Sequence, residues 1–227
     1  MPGTNLTRDE AATRSSLVDV TSYDVELDLT RGEEVFGSRT TLRFTSTEPG
    51  ASTFADLVNA HDLHVSLNGR NLDASSVYAD NRIALDGLEA ENTLVVTCDL
   101  PYSRTGEGLH RFVDPADDRV YLYTQFEVPD ARRVYTTFEQ PDLKSVFTFT
   151  VTAPEHWKVV SNAPTPEPVR DADGRAVATW SFPTTERMST YITALVAGEY
   201  HEVRDVHEGR HGTIDLGHYC RQSVKEH

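Results

Sequence analysis

The stretch YDVELDL (residues 23–29) decides the fold class of this chain of 227 residues. Four apolar residues alternate with three acidic ones. Because successive side chains of a β-strand point to opposite faces, this alternation predicts a half-buried strand with one apolar face. A turn signal, RGEE (residues 31–34), follows it, and a second alternating run covers residues 40–45. The two runs predict a β-hairpin.

The same pattern recurs along the chain, and turn signals such as Asn68-Gly69 separate the runs. The further predicted strands are residues 63–67, 82–85, 93–100, 120–126, 145–152, 158–161, 176–182 and 191–196. No segment of ten or more residues has the spacing of an amphipathic helix. Many short strands at regular spacing predict an all-β fold, an antiparallel β-sandwich.

The composition and net charge of the chain argue against some classes of function. The chain is 38% hydrophobic and 25% charged, which is typical of a globular protein, and its formal net charge is −15. So acidic a chain is poorly suited to binding nucleic acid or an anionic membrane. Its two cysteines, Cys98 and Cys220, predict no disulfide framework. We expect a cytoplasmic protein, since neither a signal peptide nor an apolar run of about 18 residues is evident.

Residues 207–211 (HEGRH) match the zinc-protease pattern H-E-x-x-H. That chemistry needs a helix, because one helical turn brings positions i and i+4 next to each other on one face, whereas in a strand they lie about 13 Å apart. Gly209 and Gly212 each disfavour a helix by about 1 kcal/mol relative to alanine, and the flanking residues alternate as in strands. We therefore interpret His207, Glu208 and His211 as a chance match at a hairpin tip. A genuine site in a small protease is the alternative.

A second candidate site lies in TQFE (residues 124–127). Gln125 and Glu127 are two apart on a predicted strand, so their side chains point to one side and Phe126 to the other. An amide beside a carboxylate suits a cationic amine. By periodicity alone, the simpler interpretation is an exposed strand face with two ordinary polar residues.

Several motifs, taken together, resemble the N-terminal domain of aminopeptidase N-type zinc metallopeptidases, with a bacterial source expected. TQFE is followed by DARR (130–133) and FEQP (138–141), as in the T-Q-x-E…D-A-R-R…F-D-E-P signature of that family. The remaining matches occur in family order: GEGLHR (106–111), WKVVSN (157–162), MSTYI (188–192), AGEY (197–200) and YCR (219–221). Glu139-Gln140 departs from the usual Asp-Glu, which leaves the role of that pair open.

This resemblance implies that Glu127 helps to hold the α-amino group of a peptide substrate and that Gln125 lines the first specificity pocket. It also implies a zinc-dependent enzyme whose metal-binding helix belongs to a downstream catalytic domain, so that catalytic residues and zinc ligands are absent from this chain. The expected organisation is a flexible segment (1–17), a β-sandwich domain (18–203), and a hairpin with the start of the catalytic domain (204–227). A non-catalytic β-sandwich binding module is the alternative function.

Overall fold

The computed structural model describes residues 5–226. Its helices are α1 (Arg8–Leu17) and α2 (Ala74–Val77), with single 3-10 turns at Ala131–Arg133, Thr190–Ile192 and Gln222–Val224. The strands are β1 (Val18–Asp28), β2 (Val35–Ser46), β3 (Thr53–Asp56), β4 (His61–Leu67), β5 (Arg70–Leu72), β6 (Tyr78–Ala79), β7 (Arg82–Leu85), β8 (Glu91–Pro101) and β9 (Gly108–Val113). They continue with β10 (Val120–Gln125), β11 (Val146–Pro154), β12 (Lys158–Ser161), β13 (Val169–Arg170), β14 (Val177–Ser181), β15 (Leu195–Gly198), β16 (His201–Gly209) and β17 (Gly212–Cys220). Within residues 5–226, no helix is both long and apolar enough to cross a membrane.

The alternating stretch lies in the middle of an eight-stranded sheet with the order β13-β14-β11-β1-β2-β8-β4-β5. Strands β1 and β2 pair antiparallel, which confirms the predicted hairpin. Tyr23, Val25 and Leu27 are buried, as the alternation requires. One pair differs from a purely antiparallel arrangement, because β1 and β11 run parallel. Parallel neighbours need a long connection, and here the chain forms β2 to β10 before it returns.

A four-stranded sheet, β12-β15-β10-β9, and a three-stranded sheet, β3-β7-β6, complete the body of the domain. Buried side chains from all three sheets form one hydrophobic core. In it, Tyr23 stacks on Phe147 with 4.8 Å between ring centroids, and Tyr135 meets Tyr23 edge-on at 6.0 Å. Aromatic pairs of this kind add about 0.5–1.5 kcal/mol each beyond their burial. The predicted all-β class is confirmed.

Two parts of the strand prediction were wrong or incomplete. Residues 191–196 are not one strand: a 3-10 turn occupies Thr190–Ile192, and β15 begins only at Leu195. The short strands β3, β5, β6, β9 and β13 are not among the predicted strands.

Residues 8–17 form helix α1. A capping box begins the helix: the Thr7 hydroxyl accepts the N–H of Glu10 at 3.2 Å, and the Glu10 carboxylate accepts the N–H of Thr7 at 2.8 Å. This exchange satisfies two backbone donors that a helix start otherwise leaves without partners. The first four residues lie outside the described part of the chain.

Arg14 ties α1 to the body of the domain. Its side chain is 1% exposed, and its Nη1 atom lies 2.8 Å from Oδ2 of Asp56 at the end of β3. Its Nε donates to the amide oxygen of Gln140 at 3.1 Å. The guanidinium also lies over the rings of Phe54 and Phe138, 4.7 and 5.5 Å from their centroids. These partners compensate the cost of burying a positive charge.

Replacing Asp56 should destabilise the domain strongly, because Asp56→Ala leaves the Arg14 charge buried without its carboxylate. We expect a loss of about 3–5 kcal/mol in the free energy of unfolding, measured by urea denaturation. Asp19→Ala is the matched control: Asp19 pairs with Arg187 at 3.1 Å, but both side chains are more than half exposed. The control should cost at most about 1 kcal/mol. Equal losses for the two variants would contradict this account of α1.

Candidate functional site

Strand β10, an inner strand of the four-stranded sheet, ends within the TQFE segment at Gln125. It pairs with β15 on one side and with β9 on the other. The pairing with β15 ends at Tyr123 and Val196. One residue further on, the Thr124 hydroxyl accepts a hydrogen bond from the N–H of Leu195 at 2.8 Å. On the other side, Gln125 is paired with Gly108, the first residue of β9. Both ladders end here, so Gln125 is the last residue of this segment that the sheet holds.

Gly108, the second glycine of GEGLHR, allows β9 to pass close to the DARR segment. Its φ is +63°, and a Cβ atom at this position would lie 2.9 Å from Cβ of Arg133. Both the left-handed backbone and the close approach favour glycine over any other residue. The motif thus brings residues 130–133 next to the end of β10.

Glu127 lies in a turn, contrary to the prediction that it shares a strand with Gln125. Strand β10 ends at Gln125, and residues 127–130 form the turn. The predicted alternation of exposure nevertheless holds. Phe126 is buried, with 4% of its surface exposed, whereas Gln125 and Glu127 are both exposed.

A hydrogen bond joins the two candidate residues. The amide oxygen of Gln125 accepts the backbone N–H of Glu127 at 2.6 Å, so the Gln125 side chain holds the first part of the turn. The Glu127 carboxylate itself forms no hydrogen bond or ion pair with any residue from 5 to 226. A carboxylate without an internal partner, beside an amide NH2 group at a strand end, can accept hydrogen bonds from a cationic amine.

Three hydrogen bonds close the base of the turn. The N–H of Asp130 donates to the carbonyl of Phe126 at 3.2 Å. Nε of Arg132 donates to the carbonyl of Pro129 at 2.9 Å, and Nε of Arg133 donates to the Asp130 carboxylate at 2.6 Å. The DARR motif therefore holds the second part of the turn, as Gln125 holds the first.

The Glu139-Gln140 pair, whose role the sequence left open, is buried beneath this turn. One carboxylate oxygen of Glu139 accepts the N–H of Arg132, and the other accepts the hydroxyl of Thr190, both at 2.7 Å. Burial raises the pKa of Glu139 from the ordinary 4.5 to about 7, although both hydrogen bonds favour the charged form. Gln140 binds Arg14. Both residues make internal contacts, and sequence reasoning had given neither a role.

The HEGRH match lies on the β16–β17 hairpin, as predicted. His207 and Glu208 belong to β16, His211 lies in the turn, and Gly209 pairs with Gly212 across it. The helical spacing that a zinc-protease motif needs is therefore absent. In the described part of the chain, no group of three or more His, Cys, Asp or Glu side chains is placed to hold a metal ion. The His, Cys, Asp and Glu side chains of residues 5–226 are thus not arranged to bind a zinc ion.

Comparisons with known proteins point to one family. The family described as "Peptidase M1 N-terminal domain" matches residues 20–192. "Aminopeptidase N" of Streptomyces lividans is 54% identical over 230 residues, which cover 100% of this chain and 26% of the relative. "Aminopeptidase N" of Acetobacter pasteurianus is 37% identical over 121 residues, or 52% of this chain and 34% of the relative. "Probable aminopeptidase 1" of Saccharolobus solfataricus is 29% identical over 156 residues, or 65% of this chain and 20% of the relative. The chain spans about a quarter of the length of the Streptomyces protein.

The raised pKa of Glu139 predicts a pH-dependent stability. Between pH 4.5 and about 7 the folded chain keeps a proton that the unfolded chain releases. This stabilisation is therefore complete below pH 4.5 and is lost as the pH rises through about 7, by an amount on the order of 3 kcal/mol. Glu139→Gln keeps a neutral group with one acceptor and one donor, so its stability should lack this component.

The measurement is urea denaturation of both proteins from pH 4 to pH 8. The free energy of unfolding of the wild type should fall relative to that of Glu139→Gln across this range. Glu89→Gln, which removes an exposed carboxylate, is the control and should follow the wild type. Parallel curves for the wild type and Glu139→Gln would show that Glu139 does not titrate as described.

Proposed function

The chain belongs to the peptidase M1 N-terminal domain family, and from this premise we propose that it is the N-terminal domain of an aminopeptidase that releases N-terminal amino acids from peptides. The names of its relatives support this proposal, since all three are aminopeptidases. In such an enzyme the domain supplies residues that anchor the substrate, and the reaction itself takes place on a downstream catalytic domain.

Within this enzyme, Glu127 binds the α-amino group of the peptide and Gln125 lines the pocket for the first side chain. The observation that carries the proposal is the exposed carboxylate of Glu127, which has no partner among residues 5–226 and lies beside Gln125 on a turn fixed at both ends. An ammonium group held there places the first peptide bond at a constant distance from the anchor. That constraint explains release of one residue at a time, because only the first bond then reaches the catalytic groups.

The zinc implied by the family is bound outside residues 5–226 in this proposal, so no step of the chemistry is assigned to a metal held by this part of the chain. Residues 204–227 begin the catalytic domain, although the hairpin itself already starts at His201. The substrate is a peptide with a free amino terminus, and the site of action is the cytoplasm. A net charge of −15 is in keeping with a partner other than nucleic acid or an anionic membrane.

Replacing Glu127 tests the anchor in the complete aminopeptidase. A hydrogen bond to a charged group contributes about 1.5–3 kcal/mol, so Glu127→Ala should lower kcat/KM on an aminoacyl amide about 10- to 150-fold. Glu89→Gln, which removes an exposed carboxylate elsewhere, should leave kcat/KM unchanged. Wild-type kinetics for Glu127→Ala would rule out this role.

The chain of residues 1–227 alone should release no amino acids from peptides, because its described side chains form no group able to hold a metal ion. Incubation with aminoacyl amides, with and without added zinc, tests this expectation. Zinc-dependent release would overturn the proposal and favour a site at HEGRH. In that event, loss of activity in His207→Ala and His211→Ala would identify the motif as the site.

A further inference from the structure

We propose that Arg132 and Glu139 are positioning residues for Glu127, an inference that rests on the proposed role of Glu127 in binding the substrate amine. Within residues 5–226, no hydrogen bond or ion pair joins either side chain to the Glu127 carboxylate. Together they connect the turn that carries Glu127 to the buried interior of the domain, and they thereby set where its carboxylate meets the ammonium group.

The inner part of the connection is Glu139. Its carboxylate accepts the backbone N–H of Arg132 and the hydroxyl of Thr190, and its own N–H donates to Asp56 Oδ2 at 3.0 Å. Glu139 is 4% exposed and Asp56 is 3% exposed. Because water has little access, these hydrogen bonds have few competitors, and losing one leaves a buried polar group without its partner. Arg132 is therefore held firmly at its backbone.

The outer part of the connection is the Arg132 side chain. Its Nε donates to the carbonyl of Pro129 at 2.9 Å, two residues after Glu127. On the other side, Gln125 holds the N–H of Glu127. Only Glu127 and Val128 remain between these two attachments, so little backbone freedom is left to the residue that we propose binds the amine.

Within the described part of the chain, packing contributes little on this side of the turn. A cavity of about 380 Å³ borders Val128, Pro129, Arg132 and Glu139. Val128 is itself 45% exposed. Among residues 5–226, the hydrogen bonds from Arg132 and Glu139 are therefore the contacts that hold this side of the turn. Displacing an anchoring group by about 1 Å is enough to weaken a productive interaction substantially.

Two inhibitors that differ only in the α-amino group test this inference in the complete aminopeptidase. The probes are an amino-acid hydroxamate and the matching des-amino hydroxamate, and the readout is the ratio of their inhibition constants. In the wild type this ratio reports the contribution of the amino group. Glu127→Ala should abolish the preference for the amine.

Arg132→Met and Glu139→Ala should each reduce the preference at least about fivefold, while the inhibition constant of the des-amino compound stays constant. Glu139→Gln should retain the preference within about twofold, since its amide oxygen can accept the N–H of Arg132 while its NH2 group donates to the Thr190 hydroxyl oxygen. Arg170→Met is the matched control, because Arg170 lies exposed on β13 and pairs with Glu155. Its ratio should equal that of the wild type.

The outcomes separate the two proposals. If Glu127→Ala leaves the preference intact, the proposed function of Glu127 fails. If Glu127→Ala removes the preference but Arg132→Met and Glu139→Ala keep it, only the positioning inference fails. The Arg132 side chain is only partly buried, so Arg132→Met should fold. If Glu139→Ala does not fold, the result for Arg132→Met alone tests the positioning inference.

Discussion

The buried ion pair between Arg14 and Asp56 is the contact on which the candidate site depends. Asp56 accepts from Arg14 and from the N–H of Glu139 through the same oxygen. Glu139 then fixes the backbone of Arg132, and Arg132 holds the turn that carries Glu127. A charge buried in the interior requires partners in definite positions. The interaction that docks α1 therefore also fixes the position of an exposed carboxylate at the end of β10.

Alternation of apolar and polar residues predicted the central strands well, because a two-sided sheet imposes a period of two on each strand. It could not predict the parallel pairing of β1 with β11, since a local pattern carries no information about which strand becomes the neighbour. Helix α1 does not follow from the apolar pattern for a different reason. Its main buried contact is the ionic side chain of Arg14 rather than an apolar stripe, and the available signal was the capping box of Thr7 and Glu10.

Part of the geometry of the candidate site follows from the sequence. The motifs singled out Gln125 and Glu127, and their shared exposure followed from alternation even though Glu127 lies just beyond the strand. Glu139 and Arg132 could not be assigned from the sequence, because charged residues are expected at the surface and a buried carboxylate looks the same in sequence as an exposed one. The HEGRH segment shows that a sequence match alone does not establish a metal site. Its letters match a metal motif, but with His207 in a strand and His211 in the turn the histidines do not have the spacing of one helical turn.

The central claim is that a turn fixed from the interior presents Glu127 to the amino terminus of a peptide. A crystal structure of the complete aminopeptidase, with and without a bound amino-acid ligand, tests it most directly. We predict the same backbone position for Glu127 in both states and an ammonium nitrogen about 2.7–3.2 Å from its carboxylate. An ammonium group bound away from Glu127, or a turn that forms only when the ligand binds, would contradict the account.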